Sequence, residues 1–510
     1  MTTLGGQIAR NSVSGLLRAA IAVPILLLLT PFVLRGLGND RFAIWVLFNL
    51  ITGYGQLTDF GLATAIVYFI PQLRADGAAG ISSLVSSAVN FLGVTVLLAT
   101  ILILVSSSLI LRVLFRLPEE LFAEGAFVLT WAMLGVGLAM ITGAFNSVIY
   151  GFQRVDVASL IMLGFVFLDS AAQYVVVRLG FGLRGLVIGR LSTTAILLLA
   201  TYFGARSIVP GIRYNPFLGN RRGLRRLLQY GLNSELASIM QIANNSISKV
   251  LLPALVSLTA ITFFDLAQRV TNQIRSTFSG ALLSILPAAA ELHAREDIVR
   301  LRSLYYRSSR YLLLVASPVL VLVSITARPL ITVWLGEGYL LTASALSLLS
   351  LAVLAGLVAV PPYEIVLGVG KAKMTAAICA IVALTNLLLS WSLGGLYGYT
   401  GVVIGVSASQ GVLLVLSVWA CNRYIGSSVL GAMKARMLSA IVSAVVPACI
   451  VALVLETIHS WGDLARLAVA VPLYGLLYAL AVVLTKAVDK EDLALAVRLL
   501  RFTTGHRNAA

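Results

Sequence analysis

The sequence predicts an all-α, polytopic membrane protein of about 14 transmembrane helices, arranged as two pseudo-symmetric six-helix bundles with two appended C-terminal helices. Three observations carry this. Of the 510 residues, 59% are hydrophobic and 11% charged, and mean hydropathy is +0.97; together these exclude a soluble globular protein. Apolar runs of roughly 20 residues or more, the length that crosses a bilayer, recur between 12 and 485. Landmarks also repeat at a fixed offset: Pro71 and Pro287, and Gly185-Leu-Val-Ile-Gly189 and Gly401-Val-Val-Ile-Gly405, each 216 apart, with Gly151-Phe-Gln-Arg154 echoed at 217 by Gly368-Val-Gly-Lys371. Each proline is expected to end its helix.

The first run, 12–35, passes into further spanning sequence without a small-residue cleavage signature, so it reads as a helix rather than a signal peptide. It carries Asn11, Ser14 and Arg18 at spacings of three and four. Arg18 has two readings, a cytoplasmic-end arginine snorkelling to headgroups or an inward-facing cation. The second run, Phe42 to Pro71, is apolar enough to span yet polar along one edge. Asn49, Thr52, Gln56 and Asp59, spaced three, four and three, stack on a single helix face. Polar groups at membrane depth face protein or a water-filled cavity, so this helix should line something wet. Runs three to six are blander; Asp169 and Gln173 in the fifth and Arg190 in the sixth read as interhelical hydrogen-bonding groups.

The N-terminal bundle thus occupies 1–205. A basic stretch, 206–225, interrupted by Pro210, Gly211, Pro216, Gly219 and Gly223, follows as a cytoplasmic linker. The second bundle takes 226–425. Because six helices are an even number, the two copies share an orientation and relate by an axis along the membrane normal, which predicts a substrate path at their interface. The repeat partners of the first two helices should then be striped, and they are. The seventh carries Ser234, Ser238, Gln241, Asn245 and Ser248, with Glu235, Asn244 and Lys249 beside them; the eighth carries Asp265, Arg269, Asn272, Ser276 and Ser279, with Gln268 and Arg275 on adjoining rows. Asp265 and Arg269, four apart, can also pair within their own helix. Pro361, Pro362 and Glu364 suggest a hinge in the tenth helix. Helices thirteen and fourteen, 426–487, lie outside the repeat, and 488–510 reads as an amphipathic cytoplasmic tail.

The net charge of +17 fits this topology. Most of the 37 Lys and Arg fall in cytoplasmic segments when both termini are placed inside, notably Arg206, Arg213, Arg221, Arg222, Arg225 and Arg226 in one loop and Arg295, Arg300, Arg302, Arg307 and Arg310 in another. Anionic lipid, rather than nucleic acid, is the partner such scattered loops imply. Cys379, Cys421 and Cys449 sit in apolar helices, and His293, His459 and His506 lie far apart, so neither a metal site nor a hydrolase constellation is visible. The Gly-x-x-x-x-Gly-Lys-Ser/Thr loop of an ATP-driven pump is missing. A membrane glycosyltransferase or polymerase would need catalytic carboxylates or a sizeable external loop, and the connections are short; the sequence predicts no enzyme and no cofactor.

The segment LGNDRFAIWVLFNLITGYGQLTDFGLATAI resembles the opening of polysaccharide transporters of the multidrug/oligosaccharidyl-lipid/polysaccharide exporter superfamily, and the twin bundles match over roughly 10 to 425. The resemblance implies an O-antigen-type flippase of the bacterial cytoplasmic membrane that moves an undecaprenyl-pyrophosphate-linked oligosaccharide, with the polysaccharide polymerase and chain-length machinery as partners beside membrane lipid. A diphosphate crossing the bilayer needs cations, and the planar donor fork of arginine suits it. Arg269 and Arg275 are the leading candidates, followed by Arg18 and Lys249, with Asn49, Gln56, Gln241, Asn245 and Asn272 available to sugar hydroxyls and Asp59 and Asp265 to ion coupling. A lipid II flippase and a cation-coupled multidrug exporter are the alternatives.

Overall fold

The computed structural model describes residues 24–25, 27–55, 59–74, 77–282, 285–426, 429–485 and 487–488. Its helices are α1 (Leu27–Leu37), α2 (Asn39–Gly55), α3 (Leu62–Phe69), α4 (Gly77–Leu109), α5 (Glu119–Gly151), α6 (Val155–Arg178), α7 (Gly182–Ile208), α8 (Arg221–Leu255), α9 (Leu258–Leu282), α10 (Ile285–Ala294), α11 (Ile298–Ile325), α12 (Ala327–Leu335), α13 (Leu340–Val358), α14 (Val360–Gly368), α15 (Ala372–Ile425), α16 (Val429–Thr457) and α17 (Asp463–Leu484). Among the described residues there is no strand, and nine helical stretches are long and apolar enough to cross a membrane. Large apolar side chains stand bare on their outer faces, as Leu98, Leu102 and Val105 do on α4. Water would penalise such a surface, whereas lipid tails do not. The protein is a multi-span membrane protein.

Packing groups the chain into two units, Met1–Asp265 with Ser390–Val402, and Leu266–Leu389 with Val403–Ala510. In the first unit α5 is central, lying against α2, α3, α4 and α7, with α6 on α7. Its core is Met133, Val136, Met140, Ala144 and Phe145 with Leu62, Ile66 and Val85. In the second unit α11 packs on α13 and α16, α17 on α12 and α16, and α10 on α14. Tyr478 Oη donates to the Leu314 carbonyl at 2.6 Å and Tyr474 Oη to that of Ala444 at 3.0 Å, so α17 is tied by its hydroxyls to α11 and to its fellow appended helix α16.

The sequence repeat is visible inside each unit. In the first, a Cβ on Gly151 would lie 2.7 Å from Ile70 Cβ; in the second, a Cβ on Gly368 would lie 2.8 Å from Ala289 Cβ and 3.0 Å from the Leu286 carbonyl. Each copy thus sets its turn glycine against the helix beside its proline landmark. Gly182 and Gly398, 216 apart, both take a left-handed φ, +60° and +59°. Gly398 is the kink inside the 54-residue α15, which is therefore two expected spans joined end to end. The tenth span is likewise divided, into α13 and α14, at the Pro361-Pro362 pair.

Two expectations about helix ends are corrected. The second span is not one helix: Phe60 and Gly61 adopt φ of +56° and +72°, a break before α3 starts at Leu62. Pro287 does not end the eighth span either. It lies inside α10, which runs on to Ala294.

The connection between α7 and α8 is laid along α4. Arg213 N and Asn215 N donate to Ser82 and Ser86 Oγ at 3.2 Å, Asn220 N to Ser87 Oγ at 2.8 Å, and Ser83 Oγ and Asn90 Nδ2 to the carbonyls of Leu218 and Pro216 at 2.9 and 2.8 Å. A serine-rich face of α4 therefore satisfies backbone groups of a chain too irregular to satisfy its own. Two of the counted loop arginines hold distant carbonyls. Arg310 Nη2 donates to the Ala487 carbonyl at 2.6 Å and Arg302 Nε to that of Ile425 at 2.7 Å, capping the chain at or just past two helix ends.

Candidate substrate site

The broken second span decides where its polar residues point. Asp59 Oδ1 accepts from Gly61 N at 2.8 Å and Oδ2 from Ala63 N at 3.0 Å, so this buried carboxylate caps α3. Asn49 and Thr52 turn back on α2, donating to the carbonyls of Trp45 and Phe48 at 2.8 Å each. Asp59 itself is outside the α-helix that holds Asn49 and Thr52, and caps α3 instead; Gln56 and Arg18 lie outside the described residues.

Asn49 and Thr52 line a cavity of about 220 Å³ inside the first unit, whose wall includes Thr142, Asn146, Phe165, Arg190 and Thr194. Behind that wall the expected interhelical groups meet. Arg190 Nη1 pairs with Asp169 Oδ2, Gln173 Nε2 donates to the same oxygen at 2.7 Å, and Thr193 Oγ1 donates to Oδ1 at 2.9 Å. The guanidinium lies 5.0 Å from the centre of the Phe165 ring. Asp169 thus has three donors, and its charge is spent within the bundle.

The start of α9 completes the first unit. Thr259 Oγ1 donates to Asp40 Oδ1 at 2.7 Å and Thr262 Oγ1 to the Asn39 carbonyl at 2.9 Å, fixing α9 to the first turn of α2. Next to this anchorage Lys249 Nζ of α8 donates to Asp265 Oδ1 at 2.6 Å, with 12% of the lysine and 7% of the aspartate side chain exposed. The structure therefore brings together one candidate cation and one candidate ion-coupling carboxylate. The backbone of Gln241 and Asn245 belongs to α8; their side chains lie outside the described residues.

Because α9 is continuous from Leu258 to Leu282, the striping expected of the eighth span holds on one helix. In the second unit Arg269 is half-buried, Asn272 is exposed, and Arg275 Nη2 donates to Gln410 Oε1 of α15 at 2.9 Å. A Cβ on Gly356 of α13 would lie 2.7 Å from Arg275 Nη2, so this glycine leaves the space the guanidinium fills. Among the described residues no carboxylate pairs with Arg275. Sequence reasoning missed Gln410 and Gly356; nothing in an apolar run marks a glutamine 135 residues away as a partner.

Residues 37–344 match the family model described as polysaccharide biosynthesis protein. A Shigella flexneri protein named for O-antigen transport is 18% identical over 430 residues, covering 82% of this chain and 98% of its own. An uncharacterised membrane protein of Methanocaldococcus jannaschii is 20% identical over 387 residues, covering 71% and 74%. Among solved structures, the lipid II flippase MurJ in an inward closed conformation superposes with a TM-score of 0.70 at 13% identity, covering 92% of this chain and 98% of that one. An inward-facing multidrug resistance MATE family transporter gives 0.63 at 16%, covering 83% and 99%. The chain has the fold these transporters share.

Proposed function

We propose, on the premise that this chain belongs to the polysaccharide biosynthesis protein family, that it is a flippase for an undecaprenyl-pyrophosphate-linked oligosaccharide. The cargo is the repeat unit of an O-antigen, capsule or exopolysaccharide, carried across the bacterial cytoplasmic membrane by alternating access, with both termini cytoplasmic, and passed to polymerase and chain-length machinery. The observation that supports it is Arg275. A guanidinium at membrane depth is costly unless its charge is used, and the partner that Arg275 meets, Gln410, is neutral. A diphosphate entering that space gains charge-assisted, bidentate hydrogen bonds that the amide cannot supply. Arg269 follows along the same helix, and the Shigella relative's name favours a saccharide cargo.

The MurJ likeness favours a second reading, transport of lipid II. Deleting the gene in its host and measuring surface polysaccharide with leaflet-resolved undecaprenyl-linked saccharides separates the two. Loss of the surface polymer with its repeat unit stranded in the inner leaflet supports the polysaccharide flippase. Stranded lipid II with failing wall growth moves the assignment to peptidoglycan, and intact glycans with new drug sensitivity refute both.

A further inference from the structure

The Lys249–Asp265 pair differs from the other buried charges in a way that matters to a transport cycle. Lys249 stands six residues before the end of α8 and Asp265 seven after the start of α9. At 1.5 Å per residue the pair lies about 10 Å from the α8–α9 connection, at the end of α8 remote from the arginine-rich linker. Asp169 is held by three side-chain donors. Arg190, which meets one oxygen of that carboxylate, also lies over the Phe165 ring, whereas Lys249 makes its described hydrogen bond to one oxygen of Asp265 and keeps the more open edge of the pair. A buried ammonium stripped of its anion is strongly destabilised. A carrier that grips a diphosphate with such a cation therefore needs an anion to take over whenever the cargo leaves.

We propose that Asp265 is that anion: an exchangeable counter-ion that holds Lys249 between turnovers, yields it to the diphosphate of the lipid-linked saccharide, and reclaims it to eject the headgroup at the outer end of the path. The proposal rests on the flippase reading and adds a release step to it. Arg275, with a neutral partner, grips the diphosphate without competition; Lys249 grips it against competition.

The test is binding of inorganic pyrophosphate to the purified full-length protein in nanodiscs, read by calorimetry below neutral pH, alongside flipping of a polyprenyl-diphosphate saccharide in vesicles. Asp265→Asn should tighten pyrophosphate binding about tenfold or more, the worth of a charged hydrogen bond. Adding Lys249→Met should erase that gain. In vesicles Asp265→Asn should lower both the half-saturating lipid concentration and the maximal rate, since release is slowed. A pair that merely ties α8 to α9 predicts no tightening, so unchanged or weaker binding at wild-type melting temperature overturns the proposal. Should Asp265→Asn fail to fold, Lys249→Met with Asp265→Leu replaces the pair by apolar groups; wild-type flipping in that variant overturns it equally, and lost flipping with retained fold supports it. A wild-type protein that moves no such lipid refutes the flippase reading alone, because pyrophosphate binding and its response to Asp265→Asn are measured without transport.

Discussion

Replacing Gly231 with alanine should destabilise the protein although alanine is the better helix former. Gly231 lies in α8 where that helix meets the turn before α3. A Cβ built there would lie 2.8 Å from the Gly61 carbonyl carbon and would collide with the Phe60 carbonyl oxygen. Ordinary carbon contacts begin at about 3.5 Å, so the two backbones must part by at least about 0.7 Å, and by more at the Phe60 oxygen. The turn cannot give way cheaply. Phe60 and Gly61 already occupy the left-handed region, and Asp59 pins the Gly61 and Ala63 amides. Overpacking of this kind costs about 3 kcal/mol at the upper end of its usual range, against about 1 kcal/mol that alanine returns in helix propensity. The net loss is about 2 kcal/mol, or roughly 30-fold in the folded-to-unfolded ratio. Gly93, exposed in α4 with nothing within 4 Å of its Cβ position, is the matched control. Melting of both variants in detergent, followed by intrinsic fluorescence and size exclusion, should place Gly231→Ala below wild type and Gly93→Ala at or above it. A Gly231→Ala protein that melts with Gly93→Ala refutes the close-approach account.

Replacing Arg269 and Arg275 together with alanine should abolish flipping in vesicles while the protein still elutes as a folded species; normal transport would refute the anchor role. Arg310→Ala strands the buried Ala487 carbonyl and should cost about 2 to 3 kcal/mol, read as a lower melting temperature that Arg310→Lys restores in part. Converting Ser82, Ser86 and Ser87 to alanine removes acceptors worth about 1 kcal/mol each, and limited trypsin digestion at Arg213 should quicken in proportion.

Much of the fold could be read from the chain because bilayer thickness imposes a length on every span and duplication imposes an offset. What escaped was whatever depends on a distant partner or on a local break in an apolar run. Ser82, Ser83, Ser86, Ser87 and Asn90 share one face of α4, a pattern available in the sequence, yet what they hold is an aperiodic loop about 130 residues on. Charge counting placed Arg302 and Arg310 in a loop, whereas both lie in α11 with a carbonyl partner more than 100 residues away. The interruption of the second span had a local signature in Asp59-Phe60-Gly61, an acceptor two residues before a glycine, but hydropathy averaging conceals a turn flanked by apolar sequence.

The same accounting sorts the polar candidates more sharply than their spacing could. A stripe of polar residues on a spanning helix shows only that some groups must be satisfied; what satisfies each one shows whether anything is left for a ligand. Asp59 is consumed by two backbone amides, and Asp169 by three side chains. Their substitution should act on stability first, with Asp169→Asn costing about 3 kcal/mol as the broken half of a largely buried pair. Arg275 keeps its charge beside a neutral amide, and its substitution should act on transport first. If Asp169→Asn were to abolish flipping at unchanged melting temperature while Arg275→Ala lowered the melting temperature and left flipping intact, the ranking of these residues by the charge left over would be wrong, and the path would run through the 220 Å³ cavity beside Arg190 instead.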